Sequence, residues 1–159
     1  MSRRAAQHVA DSLRTLERPV DRAFDRFLPE DLRELSLQYW TPLRVVKRAA
    51  EWLNSVNARH VVDVGSGAGK FCIAAALLSP AKFTGLEQSA SLIGSARRLA
   101  RTFGVNGRVS FVHGGFGAVM PPDADTYYFY NPFRSYWFQS SGDDEEELAC
   151  SSTRRLNEV

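Results

Sequence analysis

The sequence predicts an α/β fold in which a mostly parallel sheet follows a helical N-terminal segment. Residues 1–58 carry apolar side chains at helical spacing, and residues 59–134 alternate short β-branched or aromatic runs with helical stretches. Parallel strands are joined by crossover helices, so this alternation favours a parallel sheet. Residues 135–159 are polar and acidic without sustained periodicity, and we expect most of this tail to be disordered.

The composition indicates one soluble globular domain. Hydrophobic types make up 44% of the 159 residues, and no apolar run approaches the length of a membrane span. A net charge of +2 and a pI near 8.7 neither indicate nor exclude nucleic acid as a partner. Cys72 and Cys150 give no disulfide framework and no metal-ligand spacing, and the N-terminus lacks an apolar signal core. We therefore expect a cytoplasmic protein without a metal or membrane contact.

Three helices are predicted in the N-terminal segment. The apolar stripe of the first is Ala6, Val9, Leu13 and Leu16, the second carries Leu32 and Leu35, and the stripe of the third is Leu43, Val46, Ala50, Leu53 and Val56. Pro19 ends the first helix, and Pro29 takes the first helical position of the second. Thr41 and Pro42 are predicted as the N-cap and first residue of the third, which ends near Asn57.

Four strands are predicted at residues 61–64, 83–86, 109–112 and 124–130. An apolar helix over 71–78 follows the first strand, and a second helix follows the next. The stripe of that second helix is Leu92, Ala96, Leu99 and Phe103, with Gly104 as its C-terminal cap. The fourth strand is rich in Tyr and Phe and would lie at an edge of the sheet, so we expect self-association there.

A glycine turn over residues 65–69 follows the first strand. A P-loop would need glycine and a hydroxyl residue where the chain has Val64 and Phe71. A dinucleotide-binding fingerprint fails because its third glycine or alanine would fall on Lys70 or Cys72. What remains is an acid, Asp63, before alternating glycines, with a second acid ending the next strand 20 residues after the middle glycine.

The ordered stretches 61–71, 83–88 and 125–133 resemble the motifs of the class I S-adenosylmethionine-dependent methyltransferases. The resemblance covers roughly residues 38–134. It implies a Rossmann-like sheet, S-adenosylmethionine as cofactor and a methyl acceptor that the sequence does not identify. The family's sheet has seven strands, so we also expect its C-terminal part to be missing after the fourth strand. Either the chain is a fragment or truncation of a longer methyltransferase or a partner completes the sheet, and we favour truncation.

The resemblance also implies roles for individual residues. The implied cofactor-binding residues are Asp63, Gly65, Ser66, Gly67, Gly69, Glu87, Gln88, Gly115 and Phe116. The acid ending the second strand would accept hydrogen bonds from both ribose hydroxyls, and the backbone with a stacked Phe116 ring would hold adenine. Asn131, Pro132 and Phe133 lie where relatives that methylate amino groups position the substrate. This chain has one proline fewer, and a nitrogen acceptor is slightly favoured.

Two residue roles and one functional alternative stay open. His113 is either a general base or a structural histidine, and Trp40 either faces the sulfonium or belongs to the core. The chain is either an enzyme or a catalytically incompetent module, derived from a methyltransferase, that binds the cofactor or a partner.

Overall fold

A computed structural model of the chain describes residues 3–16, 19–119 and 123–131. The helices are α1 (Arg3–Thr15), α2 (Asp21–Asp25), α3 (Glu30–Tyr39), α4 (Leu43–Ser55), α5 (Lys70–Leu78) and α6 (Ala90–Thr102). The strands are β1 (His60–Val64), β2 (Lys82–Glu87), β3 (Val109–His113) and β4 (Thr126–Phe129). The predicted α/β class is confirmed. Residues 132–159, which include the predicted acidic tail, lie outside the described residues.

The four strands form one parallel sheet in the order β3-β2-β1-β4. β1 is central, and all five of its residues are buried, as expected for a parallel strand covered on both faces. The register pairs Val64 with Leu86 and Glu87 with His113, so the carboxyl ends of β1, β2 and β3 lie along one edge. This edge is where ligands bind in open α/β sheets.

The main core lies between the sheet and the helices on one of its faces. It contains buried side chains from all six helices, among them Leu13, Val46, Ile73 and Leu99. α5 is apolar on all sides because it is enclosed on all sides. The opposite face carries a smaller cluster of Val62, Val64 and Leu86. In the described part of the chain, no helix is long and apolar enough to cross a membrane.

The N-terminal helices differ from the prediction in their extent. α2 was not predicted, because five residues are too short to show a helical period. The side chains of Leu16 and Val56 are 46% and 49% exposed, since α1 and α4 end one residue before them. Leu35 is also exposed, at 41%, although Leu32 in the same helix is buried.

The predicted helix starts are displaced by one residue. Pro29 and Pro42 are N-cap residues of α3 and α4, so Thr41 does not cap α4. The Thr41 hydroxyl instead lies 3.3 Å from the Tyr128 hydroxyl. The N–H of Leu43, which has no partner within α4, donates to Asp21 Oδ1 of α2 at 2.9 Å. α4 is therefore capped from another helix, which the local sequence does not reveal.

Candidate functional site

The glycine turn links the end of β1 to α5 and is bound to the end of β2. The N–H groups of Gly65 and Ser66 both donate to the carbonyl oxygen of Leu86, each at 2.9 Å. Gly65, Gly67 and Gly69 have φ of 75°, 56° and 79°, in the left-handed region that glycine adopts without strain. The backbone of the turn therefore accounts for glycine at all three positions.

Neighbouring side chains impose a second requirement at two of these glycines. A Cβ on Gly67 would lie 2.9 Å from both Cε2 and Nε1 of Trp40. A Cβ on Gly69 would overlap the ring of Phe111 on β3. The protein's own aromatic rings thus fill the space beside Gly67 and Gly69, whereas Gly65 is exposed.

Glu87 ends β2 directly beside this turn. Its Oε2 accepts a hydrogen bond from the N–H of Gly67 at 2.9 Å, and its Oε1 accepts one from the N–H of Ser89 at 2.9 Å. A carboxylate has about four lone-pair sites, so each oxygen keeps one for a ligand. The side chain is only half-buried. Glu87 therefore supports the turn and can also accept hydrogen bonds from two hydroxyl groups.

Asp63 lies behind the turn, in the interior. Its Oδ2 accepts a weak hydrogen bond from Cys72 Sγ at 3.6 Å. Burial raises the pKa of Asp63 from 3.8 to about 7; the bond from Cys72 opposes this shift, and the charge of Glu87 adds to it. Burial and the neighbouring Asp63 also raise the pKa of the Cys72 thiol. The site therefore contains a carboxyl group that changes charge near neutral pH.

The remaining residues predicted around the cofactor lie near the ends of β1, β2 and β3. The side chain of Gln88 lies beside Gly115, where a Cβ would be 3.0 Å from its Nε2. His113 Nε2 lies 2.7 Å from the carbonyl oxygen of Gln88. The Ser66 hydroxyl faces Gly85 on β2 and has no hydrogen-bond partner in the described part of the chain.

Phe116 lies with the aromatic residues of β4. Its ring is edge-on to those of Tyr127 and Phe129, with centroids 6.4 Å and 5.3 Å away. Phe116 is 51% exposed, so about half of the residue remains accessible to solvent. Within the three described ranges, no group of three or more His, Cys, Asp or Glu side chains is arranged to hold a metal ion.

Asn131 follows β4 and contacts the segment of residues 39–40, where α3 ends. Its Nδ2 donates to the carbonyl oxygen of Tyr39 at 3.5 Å, and its φ of 48° is left-handed. Trp40, the next residue in that segment, lies against Gly67. The segment therefore bridges the glycine turn and the end of β4. Pro132 and Phe133 lie outside the described residues.

Sequence reasoning missed a buried ion cluster at the start of α5. Lys70 is 1% exposed, and its Nζ lies 2.7 Å from Asp21 Oδ1 and 2.9 Å from Asp25 Oδ1. It also donates to Ser36 Oγ at 2.9 Å. We call these four residues the Lys70 cluster. The available signal was a single lysine at the start of an otherwise apolar helix.

Comparison with known proteins tests the resemblance. Residues 55–128 match the family model of a methyltransferase domain, a stretch that contains the glycine turn and Glu87. The resemblance to the methyltransferases is confirmed. The chain is 28% identical to an RNA methyltransferase from Salinibacter ruber, solved in complex with S-adenosyl-L-homocysteine. This match covers 62% of the present chain and 69% of the other, with a TM-score of 0.50.

Two further solved structures are similar. A proposed RNA methyltransferase from Pyrococcus horikoshii is 19% identical, with a TM-score of 0.53, and shares the fold over 82% of this chain and 61% of its own. A methyltransferase from Geobacter sulfurreducens in complex with S-adenosyl-L-homocysteine is 25% identical, with a TM-score of 0.44. That match covers 52% of this chain and 35% of the other, so the present chain spans about a third of its length.

Proposed function

We propose that the chain is an S-adenosylmethionine-dependent methyltransferase domain with its cofactor at the carboxyl ends of β1 and β2. The observation that carries this proposal is Glu87, whose two oxygens each keep a lone pair beside the glycine turn. A ribose has two neighbouring hydroxyl groups that match this pair of acceptors. The family match and the relative from Salinibacter ruber, which was solved with S-adenosyl-L-homocysteine, favour this cofactor over a nicotinamide dinucleotide.

S-adenosylmethionine, when bound, supplies a methyl group on a positively charged sulfur. Methyl transfer is an in-line displacement, so the protein has to align the acceptor and exclude water rather than provide a strong base. Glu87 and the turn would bind the adenosyl part, and the Trp40 ring beside Gly67 would exclude water. Asn131, at the end of β4, would orient the acceptor together with Pro132 and Phe133.

The acceptor and the location belong to this proposal. A nitrogen acceptor is favoured by the sequence from Asn131 to Phe133, and RNA is a candidate because the Salinibacter ruber relative is an RNA methyltransferase. A cytoplasmic location agrees with the buried free thiol of Cys72. Formation of S-adenosylhomocysteine on addition of an RNA with exposed amino groups tests the activity. Cofactor binding without turnover on any acceptor would favour the incompetent module instead.

Replacing Glu87 by alanine is expected to weaken S-adenosylhomocysteine binding about 10- to 150-fold, or about 1.5–3 kcal/mol, because two ribose hydroxyls lose a charged acceptor. Titration calorimetry measures the affinity. The matched control is Glu51→Ala, which removes an exposed carboxylate from α4. Unchanged affinity in the Glu87 variant, or a preference of the parent for NADH, would contradict the assignment.

Self-association is expected through β4, which lies at the edge of the sheet formed by the described residues. Its Tyr127 and Phe129 side chains are 42% and 47% exposed, and an edge strand presents unpaired backbone groups. We expect the purified chain to scatter light as an oligomer and to be a weak catalyst. Phe129→Lys should increase the monomer fraction, whereas Trp52→Lys, at an exposed position on α4, should not. A parent chain that is monomeric and catalyses multiple turnovers would contradict both expectations.

A further inference from the structure

The Lys70 cluster satisfies a buried ammonium group completely. Lys70 is the first residue of α5, and its three N–H donors face three acceptors on Asp21, Asp25 and Ser36 at 2.7–2.9 Å. A lysine without such partners would not remain charged in the interior. The position of the ammonium group is therefore fixed by three directed contacts.

The same cluster connects four helices. The Ser36 hydroxyl of α3 donates to Asp25 Oδ1 of α2 at 2.7 Å, while it accepts from Lys70. Asp21 Oδ1 accepts the N–H of Leu43 at the start of α4 at 2.9 Å. α2, α3 and α4 are thus all bound, directly or through one carboxylate, to the residue that follows the glycine turn.

α3 contacts the turn region at two points. Ser36 and Trp40 are four residues apart, so they lie on one side of the helix and its C-terminal cap. Ser36 binds Lys70, and the Trp40 ring lies against Gly67, three residues before Lys70. The N–H of Trp40 donates to the carbonyl oxygen of Ser36 at 3.3 Å, which holds the two residues in register. Fixing Ser36 therefore also fixes the ring over the turn.

We infer that Lys70, Asp25 and Ser36 are positioning residues for the cofactor site, which rests on the function proposed above. They act through Trp40 and Gly67 rather than by touching the cofactor. Apolar contacts tolerate sliding between helices, whereas the directed bonds from Lys70 to Ser36 of α3 and to two carboxylates of α2 favour a single arrangement of α2 and α3 against α5. The N-terminal helices are then part of the binding site, because they hold Trp40 against the turn from which Gly67 contacts Glu87.

The test compares S-adenosylhomocysteine affinity, measured by calorimetry, with thermal stability. Lys70→Met is expected to weaken binding about 20-fold and Ser36→Ala about fivefold, because each change would displace Trp40 from the glycine turn. The control is Leu53→Ala, which removes a buried side chain near the far end of α4. It should lower the unfolding temperature yet change the affinity less than about twofold. The double variant Lys70→Met/Ser36→Ala should bind less than about 100-fold more weakly than the parent, the product of the two single effects, because both changes break the contact between Lys70 and Ser36.

Hydrogen exchange gives a readout that needs no cofactor. In Lys70→Met, backbone amides of residues 65–69 should exchange about tenfold faster than in Leu53→Ala, while those of β3 should exchange alike in both variants. A parent that does not bind S-adenosylhomocysteine overturns the proposed function, and the exchange experiment still decides the positioning role. Unchanged exchange and unchanged affinity in both cluster variants overturn the positioning role. If Lys70→Met does not fold, Ser36→Ala decides.

Discussion

Replacing Gly67 by valine is expected to abolish S-adenosylhomocysteine binding while most of the helix content is retained. The φ of 56° at this position is strained for a β-branched residue, at about 1–3 kcal/mol. The added Cβ would also lie 2.9 Å from the ring of Trp40, so the ring or the turn must move. Because the N–H of Gly67 donates to Glu87, a displaced turn also releases the carboxylate that would bind the ribose.

Two other glycines separate these causes. Gly104 has a similar φ of 69° but no heavy atom within 4 Å of an added Cβ, so Gly104→Val introduces the backbone strain alone. Gly107→Val introduces neither strain nor contact. Both variants should bind S-adenosylhomocysteine within about twofold of the parent by calorimetry, with circular dichroism reporting helix content. Parental affinity in Gly67→Val would mean that the ligand binds elsewhere.

The sheet and the helices around it could be predicted because local signals agree with tertiary burial. Every residue of β1 is buried, which fits its three valines, and the apolar sequence of α5 after Lys70 reflects enclosure on all sides. Gly104 occurs where the chain needs a left-handed residue after α6. In these elements the same residues determine both local conformation and packing.

The N-terminal contacts could not be predicted because they join residues far apart in the chain. Lys70 argued against a dinucleotide-binding fingerprint on sequence grounds, but its partners lie 34–49 residues earlier, and nothing local indicates them. The cap of α4 comes from Asp21 for the same reason. Leu16 fits the apolar stripe of α1, yet the helix ends before the packing could bury it.

In the candidate site, too, the features set by local sequence could be predicted and those set by tertiary packing could not. The position of Glu87 beside the turn follows from the sequence, because Glu87 ends β2, the strand that comes next after the glycine turn and α5. The contact between Trp40 and Gly67 depends on how α3 packs, which spacing does not specify. The raised pKa of Asp63 depends on burial at the end of a central strand, so it appears only in three dimensions.

Asp63 is expected to lower the stability of the chain as pH rises from about 4 to about 7. The folded state holds a proton on this carboxyl up to a pKa of about 7, whereas the unfolded chain releases it near 3.8. In that window the folded state binds more protons, so the free energy of unfolding falls by about 1.4 kcal/mol per pH unit, about 4 kcal/mol in all. The contribution is fully present below pH 4 and lost above pH 7.

Asp63→Asn removes this titration and should therefore gain stability relative to the parent, by about 4 kcal/mol between pH 4 and pH 8, in chemical denaturation at several pH values. Asp125→Asn is the control of opposite sign. Slight desolvation raises the pKa of Asp125, but hydrogen bonds from the N–H groups of Arg59 and His60 outweigh it and lower the pKa. That carboxylate stabilises the fold above its unfolded pKa, so its loss should destabilise the chain at neutral pH, and the effect should shrink as the pH falls below 3.8. A stability difference between Asp63→Asn and the parent that does not change with pH would show that the pKa of Asp63 is not raised in the folded chain.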